Sequence, residues 1–301
     1  MLDVHVGVLG AGFGLYGYVP ACSALGMRVH TLERYREVLL GRPELAGYVN
    51  TIQFHDSEQD LHTEMDLLVC ARDPASQMRL LAALRDSPQR LLLEKPLAPS
   101  INDHNAALAQ LVEGKSDFAV GYIFPYTSWY DNTVTALLGE SRSAVQINWI
   151  MPPPSLGWKA TSGRGGGIAD FYAVHFVPMF MELNLGADDL IYREEAHCLE
   201  IQSVCGSRRQ LRINIRTDGD YMFRIAQIDA KGHEEVIFAS STPFGSRSFP
   251  DCEDPRVPCL IRYLQDAWGV RQLVPQRSIE LEIRALQHRR AAVATGVPPK
   301  M

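Results

Sequence analysis

Gly10, Gly12 and Gly14 stand directly after the apolar run Val6-Gly7-Val8-Leu9 and before a second apolar stretch, the order of a strand, a tight turn and a helix start. Gly10 can take the strained backbone of the turn, and Gly12 leaves room for a diphosphate to approach the amides at the positive helix end. With Phe13 between them, these residues form a candidate dinucleotide site. The third glycine of the usual G-x-G-x-x-G pattern falls on Leu15, so close packing of helix on strand has to be achieved in another way.

Glu33 ends the next strand-like run, about twenty residues beyond Gly12, where a carboxylate can accept hydrogen bonds from ribose hydroxyls. That favours NAD(H). Arg34 and Arg36 follow at once and could bind a 2′-phosphate, which keeps NADP(H) open.

Leu91-Leu92-Leu93-Glu94-Lys95-Pro96 places a charged pair just past a buried strand, at the carboxyl edge where open α/β sheets bind ligands. An ammonium there can polarise a carbonyl that receives hydride. Further on, Gly165-Gly166-Gly167 leads to His175, whose imidazole can exchange a proton near neutral pH. Read alone, a strand-end lysine is most often a solvated charge and a histidine on an apolar helix a core residue. Together they point to a site.

The Glu94-Lys95-Pro96 turn resembles the hallmark of the glucose-fructose oxidoreductase and inositol dehydrogenase (Gfo/Idh/MocA) family. The likeness extends to Gly10-Ala11-Gly12, to the strand Asp66-Leu67-Leu68-Val69 with Pro74 after it, and to the glycine run before His175. It implies that Lys95 contacts the nicotinamide ribose and the reacting oxygen, that His175 is the acid or base, and that Pro74, Gln77 and Glu94 help hold the cofactor. It also implies that Trp158 and Lys159 lie on a loop over the nicotinamide and that copies assemble as dimers or tetramers; Tyr122, one of the aromatics gathered near the expected cleft, is a candidate to stack on the substrate. Two positions depart from the family. Phe171 stands where an aspartate is usual, so Asp170 points about 100° away on an α-helix unless the backbone shifts by one residue. Gln77 replaces a histidine and cannot exchange a proton.

The surrounding pattern must position these groups. In the first third, Val4-Leu9, Arg28-Leu32, Thr51-Phe54, Met65-Ala71 and Leu91-Leu93 alternate with helical stretches, which predicts a doubly wound parallel sheet in a Rossmann domain over 1–121. From 122 to 301 the strands lengthen: Ala144-Met151, Glu195-Val204, Gln210-Thr217, Tyr221-Asp229 and Glu234-Ala239, with a turn at Asp218-Gly219. Helices are expected over Ile168 to Leu185 and Ser278 to Ala294, giving an α+β domain with a mainly antiparallel open sheet.

Bulk properties narrow the function. The chain of 301 residues is 46% hydrophobic and 21% charged, an ordinary globular mixture. A formal net charge of -6 argues against nucleic acid as partner, and no apolar run suits a membrane span or signal core, so a cytoplasmic protein with a small-molecule substrate is expected. None of the six cysteines forms a C-x-x-C pair, and no metal site is assigned. The leading reading is hydride transfer between nicotinamide and a hydroxyl or carbonyl carbon of a sugar, cyclitol or related polar metabolite. The alternatives are reduction of an imine or other non-sugar, or a catalytically inactive nucleotide sensor, the latter suggested by Phe171 and Gln77.

Overall fold

The computed structural model describes residues 3–86, 90–113, 117–139, 144–154, 157–161, 164–203, 210–245 and 254–269. These form two compact units, one from residues up to Ala98 with Asn102–Tyr126 and 254–269, the other mainly from 127–245.

In the first unit, His5–Leu9 (β1), Arg28–Leu32 (β2), Gln53–His55 (β3), Leu67–Cys70 (β4), Arg90–Leu93 (β5) and Asp117–Val120 (β6) form one sheet in the order β3-β2-β1-β4-β5-β6. Every pairing is parallel, in keeping with the apolar runs of β4 and β5 inside the sheet. Order reverses between β1 and β4, which opens the crevice where such sheets bind ligands. Gly7 leaves room for Met65, just past the helix Glu58–Glu64, since a Cβ there would lie 2.9 Å from Met65 Cγ. The helix Val257–Gly269 belongs to this unit although it follows the second sheet in the chain.

One face of this sheet carries a ladder of imidazoles. His5 Nδ1 lies 2.9 Å from His30 Nε2, and His30 Nδ1 lies 2.9 Å from His55 Nε2. Each link holds one hydrogen, so of the six ring nitrogens the four in links carry two protons and the outer two at most two more. The intact ladder therefore accepts one proton above neutrality, and a second forces two N–H groups face to face. Burial, then His55, His5 and Arg28, lower the His30 pKa to about 4. Asp3 lies 3.8 Å from His5 Nε2 and pairs with Arg28 at 2.9 Å, while the Asp66 carboxylate accepts from the His5 backbone N–H.

The second unit contains Ala144–Ile150 (β7), Leu190–Glu195 (β8), Cys198–Ser203 (β9), Gln210–Arg216 (β10), Met222–Ile228 (β11) and Glu234–Ser240 (β12), in the order β12-β11-β7-β10-β9-β8. The sheet is antiparallel except for β7 and β10, which run parallel. β8 is a strand that the sequence pattern did not mark; it forms a hairpin with β9, turning after Glu195. Asp218-Gly219 is not a turn between neighbours, because β7 lies between β10 and β11. The connection passes over the end of β7, where a Cβ on Gly219 would meet Ile150 Cγ2 at 2.8 Å.

The expected helix over Ile168 to Leu185 is broken into a π-turn at Ile168–Tyr172, a 3-10 turn at Ala173–Phe176 and an α-helix at Val177–Glu182. Pro178 accounts for the last break, since it lacks the N–H that would continue the ladder and fits best in a first turn. The helix expected over Ser278 to Ala294 lies outside the described residues. Among the described residues, no helix is long and apolar enough to cross a membrane.

Candidate active site

The glycine turn is shaped by what its residues lack. Gly10 has φ +135°, and a Cβ there would lie 2.2 Å from Ala71 O at the end of β4. Gly12 differs: a Cβ there meets nothing within 4 Å, so the space above it is open. Gly14 supplies the close packing that Leu15 could not, its Cβ direction running to 3.2 Å from Val8 Cγ1. Leu15 itself is buried. The backbone winds through a π-turn at Gly14–Tyr18 before the helix Val19–Ala24, with Leu15 N–H donating to Gly12 O at 2.9 Å.

The Lys95 turn is held by hydrogen bonds. Gln77, fully buried in the helix Pro74–Ala83, accepts from Glu94 N–H at 2.9 Å and donates to Glu94 O at 2.8 Å and Leu97 O at 3.0 Å. Its amide is thus spent on the turn that carries Lys95. Pro74 opens the same helix beside the Asp73 cap. Tyr18 donates to Glu94 at 2.6 Å, and a Cβ on Gly121 would lie 2.7 Å from Glu94 Oε1, so only glycine leaves room for the pair. Burial raises the Glu94 carboxyl above the usual carboxylate range, opposed by Lys95 and the Tyr18 hydroxyl. Burial likewise raises the Tyr18 hydroxyl, with Glu94 adding to the effect. Lys95 is 8% exposed, which rules out the solvated-charge reading. The Lys95–Pro96 peptide is cis.

At the end of β2, Glu33 binds Arg36 through two bonds of 2.5 and 2.9 Å, and the Arg36 guanidinium lies 3.8 Å over the Phe54 ring. Arg34 donates to Glu58 at 2.8 Å, and Arg72 grips the same carboxylate at 2.7 and 2.9 Å. Arg72 and Arg34 hold the Glu58 pKa at about 2. Tyr122 is buried just beyond β6.

The remaining expected residues belong to the second unit. His175 is buried, with the Trp149 ring edge-on at 5.7 Å. Asp170 is also buried, inside the π-turn Ile168–Tyr172 rather than on an α-helix. Phe171 turns instead to Trp158, ring centroids 5.3 Å apart, and Lys159 Nζ lies 5.1 Å from the Phe171 ring. Gly166 permits this loop to close, since a Cβ there would lie 1.9 Å from Trp158 O.

No protein-family model and no curated protein matches the sequence. Solved structures match along the whole chain. GenD2 from gentamicin A biosynthesis, solved with NAD, matches with TM-score 0.71 and 16% identity over 99% of this chain and 96% of its own. A myo-inositol dehydrogenase from Corynebacterium glutamicum matches with TM-score 0.71 and 13% identity over 100% of both chains. A 3-ketoreductase from Actinomadura kijaniata, solved with NADP, matches with TM-score 0.66 and 14% identity over 98% of each. The chain shares their fold. The resemblance to the Gfo/Idh/MocA family drawn from the two turns therefore holds at the level of architecture.

Three residues beside these turns escaped the sequence reading. Tyr18 joins the two turns, touching Glu94 through its hydroxyl and Phe13 ring to ring at 5.3 Å. Gly121 makes room for that pair, and Arg256 lies over Phe13. Tyr18 lay within an apolar helix start and Arg256 more than two hundred residues from Phe13, so neither spacing nor periodicity marked them. Among the described residues no group of three or more His, Cys, Asp or Glu could hold a metal, and the Cys22 and Cys70 thiols are pushed up to about 12 by burial.

Proposed function

We propose that the protein is an NAD(P)-dependent oxidoreductase acting on a hydroxyl or carbonyl carbon of a sugar, cyclitol or related polar metabolite. The observation that carries this reading is the open space above Gly12 on the same sheet edge as the buried Lys95, the two turns being joined through Tyr18 and Glu94. The fold shared with GenD2 solved with NAD, a myo-inositol dehydrogenase and a 3-ketoreductase solved with NADP supports it.

Gly10, Gly12, Phe13 and Gly14 would hold the diphosphate, and Glu33, oriented by Arg36, would accept from the ribose hydroxyls. A bound nicotinamide supplies or takes the hydride. Lys95 polarises the reacting oxygen, and His175 exchanges the proton. Gln77 and Glu94 keep the Lys95 backbone in place. Asp170 is assigned to catalysis with Lys95 and His175, Trp158, Lys159 and Tyr122 to the substrate, and copies to dimers or tetramers in the cytoplasm.

Substitution of Lys95 tests the mechanism. Lys95→Met should lower turnover by about 100-fold or more, with a much smaller change in NADH affinity, because methionine keeps the apolar stem and loses the charge. His175→Ala should also be slow, and the double variant little slower than the poorer single. Wild-type turnover by Lys95→Met on an identified substrate overturns the assignment. Product analysis on alcohol, ketone and imine panels fixes the substrate class. NADH should bind more tightly than NADPH, and Glu33→Ala should narrow the gap; tighter NADPH binding by the wild type removes the Glu33 role.

A further inference from the structure

Arg256 is anchored at three points. Its Nε and Nη2 donate to the Asp254 carboxylate at 2.8 and 2.7 Å, and its backbone N–H donates to the same group at 3.0 Å. Thus fixed just before the helix Val257–Gly269, the guanidinium lies 4.3 Å over the Phe13 ring and 5.1 Å from that of Tyr16. Phe13 is confined from another direction as well, since a Cβ on Gly17 would lie 2.3 Å from its Cε2. The ring next to Gly12 is therefore packed against Gly17 and Arg256, and against Tyr18 at its edge.

We propose that Arg256 is a positioning residue for the dinucleotide site, holding Phe13 and through it the backbone of the Gly12–Gly14 turn in the shape that receives the diphosphate. This rests on the reading of that turn given above. The contribution is one of shape. Arg256 is paired with a carboxylate, so the clasp adds little net charge, and what it supplies is a flat cation with two parallel donors, locked onto an aromatic face. Lysine cannot reproduce this, because an ammonium neither makes the two parallel bonds nor stacks flat. A segment distant in sequence thereby sets the geometry of the first turn of the chain.

Calorimetric titration of the full-length protein with NADH and NADPH tests the proposal. The wild type should bind one of them; if it binds neither, the reading of the turn fails and the proposal with it. Given wild-type binding, Arg256→Met and Arg256→Lys should each weaken Kd by about tenfold, the scale of a desolvated cation-π contact. Phe13→Leu should weaken it comparably, and the Phe13→Leu, Arg256→Met double should be no weaker than the poorer single, because both remove one contact. Wild-type affinity in Arg256→Met, rescue by Arg256→Lys, or additive losses in the double each overturn the proposal. So does a lowered melting temperature with unchanged Kd, the mark of a merely structural arginine. Should Arg256→Met fail to fold, Arg256→Lys and Phe13→Leu decide.

Discussion

The two turns at the carboxyl edge of the first sheet are built on opposite principles. The glycine turn is made by omission: Gly10, Gly14 and Gly17 are small because Ala71, Val8 and Phe13 occupy the space a side chain would need. The Lys95 turn is made by addition, with Gln77 and Tyr18 bonding its backbone and its carboxylate. The glycine turn tolerates no added atom except where ligand space was left, whereas the Lys95 turn, beyond the space it needs at Gly121, depends on keeping each donor and acceptor.

The largest expected effect lies in the contrast between two glycines of the first turn. Gly10→Val should abolish folding or cost several kcal/mol, about 3 or more, because its Cβ falls on a backbone carbonyl and its φ is positive. Gly12→Val should leave the urea midpoint near that of the wild type and weaken NADH binding by roughly 100-fold or more, since its side chain enters open space. Unchanged NADH affinity in Gly12→Val would remove the diphosphate from this turn, and a wild-type midpoint in Gly10→Val would contradict the steric account.

Gln77→Leu probes the second principle. It keeps the volume while stripping three partners from the buried backbone of Glu94 and Leu97, so stability should drop by about 2 to 4 kcal/mol in urea melts. If Gln77→Leu melts like the wild type, the Lys95 turn is held by packing and the contrast between the turns collapses.

A smaller effect separates hydrogen bonding from sterics by pH. His30 is held neutral in the folded chain, with a pKa of about 4 against 6.5 for a free imidazole. For this lowered pKa the stabilisation is complete above the unfolded value and is lost as pH falls toward the folded one. Between pH 6.5 and roughly pH 4.5 the chain should lose about 2 kcal/mol from this group. Melts across that range should show the slope, and His30→Asn should flatten it. An equal slope in His30→Asn would place the acid sensitivity elsewhere.

Much of this molecule could be read from local pattern. The parallel sheet was legible because strands such as β4 and β5 are apolar runs between helical stretches and because Gly10, Gly12 and Gly14 follow β1 directly, a signal contained within a few residues. The Lys95 turn was legible for the same reason. What escaped reading involved partners distant in the chain. That Gly14 rather than Leu15 packs on Val8 depends on a π-turn, which the glycine spacing alone does not specify. The insertion of β7 between β10 and β11 depends on a pairing of strands about sixty residues apart.

Sequence alone determined the residue types at the two turns, because backbone freedom at glycine and charge at lysine are properties of single residues. Tertiary structure decided that Lys95 is buried, that Gln77 is spent on the turn carrying it, and that Arg256 reaches Phe13. Burial and hydrogen bonding belong to pairs of groups, and the chain brings those pairs together only when its sheet order is set.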